Sequence, residues 1–281
     1  MIGEPPSPHV AGALRRLRDL GLDAVTAQRL LLKAMGQNLA ARSWLISHDT
    51  QALTPAQWLT AQALAARVDG GEPLAYVLGE AGFWGLTLRV NPAVLIPRPD
   101  TETLAQWALE LTAAHAEATL ADLGTGSGAL ALTLAQQRPH ATVWAVERSP
   151  QAMAVAQHNA QALGLSLRWR LGDWWAALPQ GLQFDLVVSN PPYLAGNDKH
   201  LAELAAEPQT ALVAGPDGLR DFSRIIGGAS RRLRAGGWLL LEHGHQQAQA
   251  VAQLLHHHGL RQVSTRADLA GRPRCTGGQR R

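Results

Sequence analysis

The sequence has only one cysteine, Cys275, among its 281 residues. A lone thiol cannot form an internal disulfide, and this predicts a protein of the reducing cytoplasm. No stretch approaches the roughly 18 apolar residues that a membrane-spanning helix needs. Residues 1–10 contain three prolines and no apolar run, so we expect no signal peptide.

Charge is nearly balanced, with a formal net charge of +3. This balance does not favour a dedicated nucleic-acid-binding protein, and we expect neither stable nucleic-acid binding nor membrane binding. The adjacent histidines 256–258 would point in three directions on a helix and lack partner Cys or Asp ligands, so we predict no metal site. For His243 and His245 we expect structural roles.

Residues 1–71 are predicted to form an all-helical domain. Thr54, Pro55 and Gln57 match a capping box at a helix start. The first helix is expected to bury a stripe of four leucines, namely Leu14, Leu17, Leu20 and Leu22.

Residues 72–99 are predicted to be a β-hairpin connector, with extended segments at 76–79 and 83–90 joined by glycine-bearing turns. The following extended stretch ends in prolines around Arg98. We expect this stretch to line the active site, with Arg98 as a substrate-binding residue.

Residues 100–281 alternate between strand and helix patterns, which is typical of an α/β doubly wound sheet. Strands are expected at 119–123, 142–147, 167–172, 184–190 and 237–243, and the segment 261–278 suggests two more. A helix is expected from Asp100 to about His115, and a second, capped by Ser149, at 150–163.

A glycine-rich loop follows the first of these strands and opens a helix. It consists of Gly124, Thr125, Gly126, Ser127 and Gly128. Such glycines allow a tight turn and a close approach by a ligand. Glu147 ends the next strand, where a carboxylate would accept both ribose hydroxyls of a cofactor. The loop also fits G-x-G-x-x-A, so by itself it leaves nicotinamide cofactors and S-adenosylmethionine open.

The motif Asn190-Pro191-Pro192-Tyr193 follows an apolar strand, at the sheet edge where α/β proteins bind ligands. The Asn190 amide oxygen and the Pro191 carbonyl are two converging acceptors, which suit a planar NH2 group. Tyr193 offers a flat face and a hydroxyl to hold the substrate. The motif therefore predicts an enzyme acting on the amino group of an amide or a nucleobase.

Two acceptors for an amine have no use in hydride transfer, so the motif favours S-adenosylmethionine as the cofactor. Asp173 and Trp174 follow the third strand, where the adenine of this cofactor would lie. We expect Asp173 to accept from the adenine amine and Trp174 to cover the ring. For Trp175, core packing is equally compatible with the sequence.

Five blocks that occur in order carry a family resemblance. They are EPLAYVLG at 72–79, LIPRPDTE at 95–102, DLGTGSG at 122–128, NPPY at 190–193 and LLLEHG at 239–244. Together they resemble the bacterial release factor glutamine methyltransferases, the HemK/PrmC family. The resemblance covers nearly the whole chain, and the block around Arg98 is its most specific part.

This resemblance implies a Rossmann-like, seven-stranded methyltransferase sheet with an N-terminal helical domain that helps to hold the substrate protein. The implied reaction is methylation of the glutamine side-chain nitrogen in the Gly-Gly-Gln motif of class-I peptide chain release factors. Residues 124–128, Glu147, Trp174 and Asn190 would contact S-adenosylmethionine, and residues 190–193 would bind the glutamine. We expect direct in-line transfer without a metal or a covalent intermediate.

Two departures from the family pattern stand out. Glu147 replaces the more frequent Asp, and Ala206 stands where the family often has Phe before Glu-Pro, which would loosen a substrate lid. The main alternative is a DNA N6-adenine methyltransferase that uses the same NPPY motif on a flipped base. A third hypothesis, a binding protein without catalysis, would require a broken cofactor loop, and this loop is intact.

The chain itself ends in a Gly-Gly-Gln sequence, Gly277-Gly278-Gln279. A terminal polar tail is expected to be mobile, and a mobile tail would reach the pocket as a competitor or a substrate. Coincidence is the stronger interpretation, because matches of three residues are common.

Overall fold

Five α-helices form the first compact unit, Met1–Gly79, of a computed structural model that describes residues 7–115 and 117–281. They are α1 (Val10–Asp19), α2 (Ala24–Ala34), α3 (Arg42–Ser47), α4 (Pro55–Asp69) and α5 (Leu74–Leu78). The predicted capping box is present at α4. The Gln57 backbone N–H donates to Thr54 Oγ1 at 3.2 Å, and the Thr54 N–H donates to Gln57 Oε1 at 2.9 Å.

The buried face of α1 differs from the predicted leucine stripe. Val10, Ala13 and Leu17 are fully buried, whereas Leu20 is 60% exposed. Because α1 ends at Asp19, Leu20 lies beyond the helix and no longer follows its period.

The strand predicted at 76–79 is wrong. These residues belong to α5, which packs Val77 and Leu78 into the core of the helical unit and ends at Gly79 with a φ of 75°. Short apolar runs do not distinguish a strand from a buried helix by periodicity. The helical unit therefore ends at Gly79 rather than at residue 71.

A β-hairpin opens the second unit, Glu80–Arg281. Strands β1 (Glu80–Phe83) and β2 (Leu86–Arg89) pair antiparallel. Trp84 and Gly85 between them have φ values of 50° and 75°, as two-residue hairpin turns of type I′ require. A hairpin is thus present, but its turn lies inside the segment 83–90 that was predicted as one strand, and only Leu86–Arg89 forms the second strand.

A seven-stranded sheet forms the rest of this unit and confirms the predicted fold class. Its strands are β3 (Thr119–Leu123), β4 (Thr142–Glu147), β5 (Arg168–Leu171), β6 (Phe184–Ser189), β7 (Leu233–Glu242), β8 (Arg261–Ala267) and β9 (Pro273–Gln279). Their order is β5-β4-β3-β6-β7-β9-β8. Strands β3 to β7 are parallel, and β9 runs antiparallel to both of its neighbours.

Five helices cover the sheet, namely α6 (Glu102–Leu111), α7 (Ala129–Gln137), α8 (Pro150–Ala162), α9 (Arg220–Arg232) and α10 (Ala248–His257). Two apolar cores result. One includes Leu104 and Leu132, and the other includes Ile225 and Leu255. Helix α6 is shorter than predicted at both ends, because a 3₁₀ turn occupies Pro99–Thr101 and the helix ends at Leu111. In the described part of the chain, no helix has both the length and the apolar character needed to cross a membrane.

The terminal Gly-Gly-Gln is part of β9 and is not a mobile tail. Strand β9 lies between β7 and β8, and Gln279 Nε2 donates to the Gly236 carbonyl at 2.9 Å. A Cβ on Gly277 would lie 2.4 Å from Leu240 Cδ2, so glycine is needed here for packing in the sheet. The tail is therefore held away from any role as substrate or competitor.

Candidate active site

A cavity opens at the carboxyl ends of β3, β4 and β6, with about 970 Å³ of space when its open mouth is included. Its walls come from the loops after these strands, from residues 172–174 after β5, and from the segments 93–101 and 208–211. The parallel strands thus bring together chain segments that are far apart in the sequence.

The glycine-rich loop after β3 lies in this cavity except for its last residue. Gly124, Thr125, Gly126 and Ser127 line the cavity, and a Cβ on Gly126 would meet no atom within 4 Å. Gly128, in contrast, has a φ of 88°, and its Cβ would lie 2.8 Å from Leu132 Cδ1. Glycine at position 128 is therefore required by the packing against α7, and Gly128 is not among the residues that line the cavity.

Glu147 lies in the cavity wall with only 8% of its surface exposed. Its Oε1 accepts from the backbone N–H groups of Arg148 and Ser149 at 2.8 and 2.9 Å, and its Oε2 accepts from the Gly126 N–H at 2.9 Å. Three of about four acceptor directions on this carboxylate are thus in use. One acceptor direction, on Oε2, is left without a protein donor among these bonds.

Asp122, near the end of β3, also lines the cavity, which its sequence pattern did not predict. Its Oδ2 accepts from Thr125 Oγ1 at 2.7 Å and from the Ala131 N–H at 3.2 Å. Its Oδ1 is buried without a partner among the described residues. Burial raises the pKa of this carboxyl group to about 7, although the Thr125 hydroxyl opposes the shift.

Asp173 and Trp174, which the sequence suggested for adenine binding, line the cavity on the β5 side. Arg224 of α9 pairs with Asp173 Oδ2. Asp173 Oδ1 and Trp174 Nε1 are buried without partners among the described residues. Trp174 packs against Gly124, whereas Trp175 donates to the Ile225 carbonyl at 2.8 Å and is a partly buried residue that packs against the core.

Asn190, directly after β6, lines this cavity and a smaller neighbouring cavity of about 450 Å³. Its Nδ2 donates to Thr101 Oγ1 at 3.3 Å. No donor among the described residues reaches its Oδ1, which remains available as an acceptor. The side chain of Asn190 therefore presents a free amide oxygen where the two cavities meet.

The rest of the NPPY motif divides between the two cavities. Pro192 lines the larger one and Tyr193 the smaller one, while Pro191 is buried and lines neither. The Tyr193 hydroxyl lies within the electrostatic influence of Glu242. Burial raises the pKa of this hydroxyl, and the negative charge of Glu242 raises it further.

Arg98 lines both cavities, in agreement with its predicted location. It forms an ion pair with Glu207, which is 5% exposed and also accepts from the Ile96 N–H at 3.0 Å. Glu207 therefore joins the segment around Arg98 to the chain at Ala206, where the sequence suggested a loosened substrate lid. This link is present although Ala206 replaces the frequent aromatic residue.

The cavity contains unsatisfied polar atoms of the kind that a cationic, hydrogen-bonding cofactor would satisfy. Three of the five buried side-chain atoms without partners in the described residues lie in its wall: Asp122 Oδ1, Asp173 Oδ1 and Trp174 Nε1. Leaving such atoms unpaired costs about 1–3 kcal/mol each. Two acidic oxygens and an indole N–H complement the sulfonium, amino and adenine groups of S-adenosylmethionine.

The histidines discounted in the sequence lie outside this site. His243 is fully buried in the sheet, where its Nδ1 lies 2.8 Å from the Gly244 carbonyl and its Nε2 lies 2.7 Å from Thr276 Oγ1. His256 and His257 are at the end of α10. Within residues 7–115 and 117–281 no three His, Cys, Asp or Glu side chains are placed to share a metal ion.

Two family models match the chain. The model of the PrmC N-terminal domain matches residues 10–79, which is the helical unit. The model of the methyltransferase small domain matches residues 101–216, which contain the cavity walls from Thr101 to Ala211.

Curated proteins named release factor glutamine methyltransferase are similar over most of the chain. The Bordetella pertussis protein is 47% identical over 93% of this chain and 97% of its own length. The Burkholderia pseudomallei protein is 45% identical over 98% of this chain and 97% of its own length. The Pseudomonas aeruginosa protein is 50% identical over 76% of this chain and 78% of its own length.

Solved methyltransferase structures share the fold. The T. thermophilus 16S rRNA N2 G1207 methyltransferase, in complex with AdoMet and guanosine, has a TM-score of 0.56 at 22% identity, covering 72% of this chain and 50% of that one. A Pyrococcus furiosus methyltransferase has a TM-score of 0.53 at 16% identity, and the match covers 76% of this chain and 96% of that one. At these identities the likeness concerns the fold alone.

Proposed function

Because the chain belongs to the release factor glutamine methyltransferase family, we propose that it methylates the side-chain amide nitrogen of the glutamine in the Gly-Gly-Gln motif of class-I peptide chain release factors. It is an S-adenosylmethionine-dependent methyltransferase. The observation that carries the proposed chemistry is the free amide oxygen of Asn190 at the meeting point of the two cavities.

The larger cavity is the proposed cofactor site. The glycine loop up to Ser127 holds the methionine part, Glu147 Oε2 accepts from a ribose hydroxyl, and Asp173 with Trp174 binds the adenine. Asp122 Oδ1 adds an acceptor for the cationic part of the cofactor. S-adenosylmethionine supplies a methyl group that is already activated by the positive charge on its sulfur.

The smaller cavity is the proposed glutamine site. It is lined by Tyr193, Arg98 and a set of apolar side chains, namely Leu95, Leu194, Leu204, Ala211 and Leu212. A glutamine entering here would bring its terminal amide to Asn190. The apolar walls fit the methylene groups of the glutamine and exclude water from the amide.

Asn190 and Pro191 then act on the amide NH2 group. Its nitrogen lone pair is delocalised into the carbonyl and is a weak nucleophile. When the Asn190 amide oxygen and the Pro191 carbonyl accept both protons, the nitrogen becomes more tetrahedral and its lone pair is directed away from the acceptors. These acceptors bind most strongly when positive charge develops on the nitrogen, so they stabilise the transition state more than the bound substrate.

The experiment that tests this function is methyl transfer from labelled S-adenosylmethionine to a purified class-I release factor. We expect one methyl group per release factor, located on the glutamine of Gly-Gly-Gln by mass spectrometry. A release factor with alanine at that position should accept none. Transfer to another residue would contradict the proposal.

The same assay decides the DNA alternative. The chain's relatives are release factor glutamine methyltransferases, and this does not favour a DNA enzyme. We expect no label in plasmid DNA under conditions that label the release factor. Adenine methylation at a comparable rate would instead support base flipping by the same NPPY motif.

The helical unit is proposed to hold the release factor, since it has its own apolar core and the PrmC N-terminal model matches it. A chain reduced to residues 80–281 is expected to methylate a short Gly-Gly-Gln peptide about as fast as the full chain does. On whole release factor its kcat/KM should fall by at least about ten-fold, which corresponds to about 1.4 kcal/mol of lost binding. Equal activity of both chains on whole release factor would give the helical unit another role.

A further inference from the structure

Glu207 is a buried carboxylate that lies beside both cavities, although it is not among the residues that line them. Its side chain is 3% exposed. Its Oε2 accepts from the Ile96 N–H at 3.0 Å, and its Oε1 forms the ion pair with Arg98. Leu204 and Pro208, close to it in the chain, line the smaller and the larger cavity respectively. The partner that carries the effect of Glu207 to the cavities is therefore Arg98.

Arg98 brings a positive charge to the place where the two cavities meet. Like Asn190, it lines both of them. Among the described residues that line the smaller cavity, it is the only charged one. A guanidinium group stays protonated in proteins. Without Glu207 this wall would hold an uncompensated cation, whereas the ion pair as a whole is neutral.

The charge of this wall matters because the two forms of the cofactor differ in charge. S-adenosylmethionine carries a positive charge on its sulfur, whereas S-adenosylhomocysteine, which remains after the methyl group has left, has a neutral sulfur. The proposed function places methyl transfer at Asn190, so the sulfur must approach the part of the wall that Arg98 also lines. Like charges repel more strongly in a site that excludes water. An unpaired Arg98 would thus weaken binding of the methyl donor and leave binding of the product nearly unchanged.

We propose that Glu207 is a positioning residue that holds and neutralises Arg98, and thereby sets the preference of the site for the cationic methyl donor over the neutral product. This inference rests on the proposed function, because that function places the sulfur near Arg98. A purely structural role of Glu207 leads to a different expectation. The contacts of Glu207 with Ile96 and Arg98 also join two chain segments, and loosening them would weaken binding of both cofactor forms equally.

Calorimetry with both forms of the cofactor separates these two roles. Glu207→Gln keeps the size of the side chain and removes its charge. Its affinity for S-adenosylmethionine should fall about ten-fold, which corresponds to about 1.4 kcal/mol, while its affinity for S-adenosylhomocysteine stays nearly unchanged. Glu207→Asp keeps the charge and should keep the ratio of the two affinities. The double variant Arg98→Met/Glu207→Gln removes both charges and should restore the ratio, since neutral replacement of a buried ion pair is often tolerated.

Two further variants control for a general effect of charge and for a loss of the fold in Glu207→Gln. Glu110→Gln breaks another ion pair of the same unit, with Arg266 at 2.6 Å, and neither partner lines either of the two cavities. It should bind both cofactor forms normally. Arg98→Met leaves Glu207 as the uncompensated charge, so the affinity ratio should shift in the opposite direction, toward S-adenosylmethionine.

Methyl-transfer kinetics with a Gly-Gly-Gln peptide provide the second readout. In Glu207→Gln the KM for S-adenosylmethionine should rise more than kcat falls, and S-adenosylhomocysteine should inhibit more strongly relative to that KM. An unchanged affinity ratio in both Glu207→Gln and Arg98→Met, or an equal loss of affinity for both cofactor forms in Glu207→Gln, would overturn the inference. A wild-type chain that methylates no Gly-Gly-Gln peptide would overturn the proposed function, and the affinity ratios would still decide the role of Glu207.

Discussion

Replacing Asn190 with alanine is expected to lower kcat by about 10²–10³-fold, the effect of removing one preorganised hydrogen-bonding group from a transition state. Asn190 Oδ1 is the acceptor that stands where the cofactor and substrate cavities meet, and its Nδ2 is held by Thr101. The loss should fall on kcat, because the acceptor binds best when charge develops on the substrate nitrogen. Steady-state kinetics with a Gly-Gly-Gln peptide measure it.

Cofactor affinity provides the internal control for this variant. Calorimetry of Asn190→Ala with S-adenosylmethionine should show binding close to that of the wild-type chain, because most of the cofactor wall is formed by other residues. Asn38→Ala is a matched variant in the helical unit, where Asn38 Oδ1 accepts from the Ala40 N–H at 2.8 Å. It should methylate the peptide at the normal rate. Near-normal turnover by Asn190→Ala would refute the proposed mechanism.

Local sequence signals predicted much of the fold. The cap at Thr54, the cap at Ser149 and the β-branched runs of β4 and β6 each act within a few residues of chain, so their pattern is legible without tertiary contacts. The strand prediction for residues 76–79 was wrong because these residues form a helix that is stabilised by burial of Val77 and Leu78 in the helical unit. That stabilisation depends on the tertiary packing and not on the local pattern.

The site was predictable where a motif follows a strand, since the ends of parallel strands meet at one edge. Carboxylates that are buried at the strand ends were not predictable. Asp122 and Glu242 look in the sequence like the ends of apolar strands, and only burial reveals their unpaired oxygens. The different surroundings of the glycines were also not predictable, because Gly128 resembles Gly126 in the motif but packs against Leu132.

Glu147→Gln is expected to weaken S-adenosylmethionine binding by about 1.5–3 kcal/mol, the range for hydrogen bonds to charged groups. This corresponds to about a 10- to 150-fold higher Kd. Both carboxylate oxygens accept from backbone N–H groups, Oε2 from Gly126 and Oε1 from Arg148 and Ser149. In the variant one of these oxygens becomes an NH2 group, which is a donor and faces a backbone donor.

The two amide orientations of the introduced glutamine would damage the site differently, and both weaken binding. With the NH2 group toward Gly126, the glycine loop loses its tie to β4 and the ribose loses its acceptor. With the NH2 group toward Arg148 and Ser149, two N–H groups at the start of α8 lose their partner.

Glu117→Gln is the matched control: it removes the same charge from an exposed side chain just before β3, at the end of the strand opposite the cavity. Calorimetry should show normal affinity for Glu117→Gln, and an equally normal affinity for Glu147→Gln would remove Glu147 from the cofactor site.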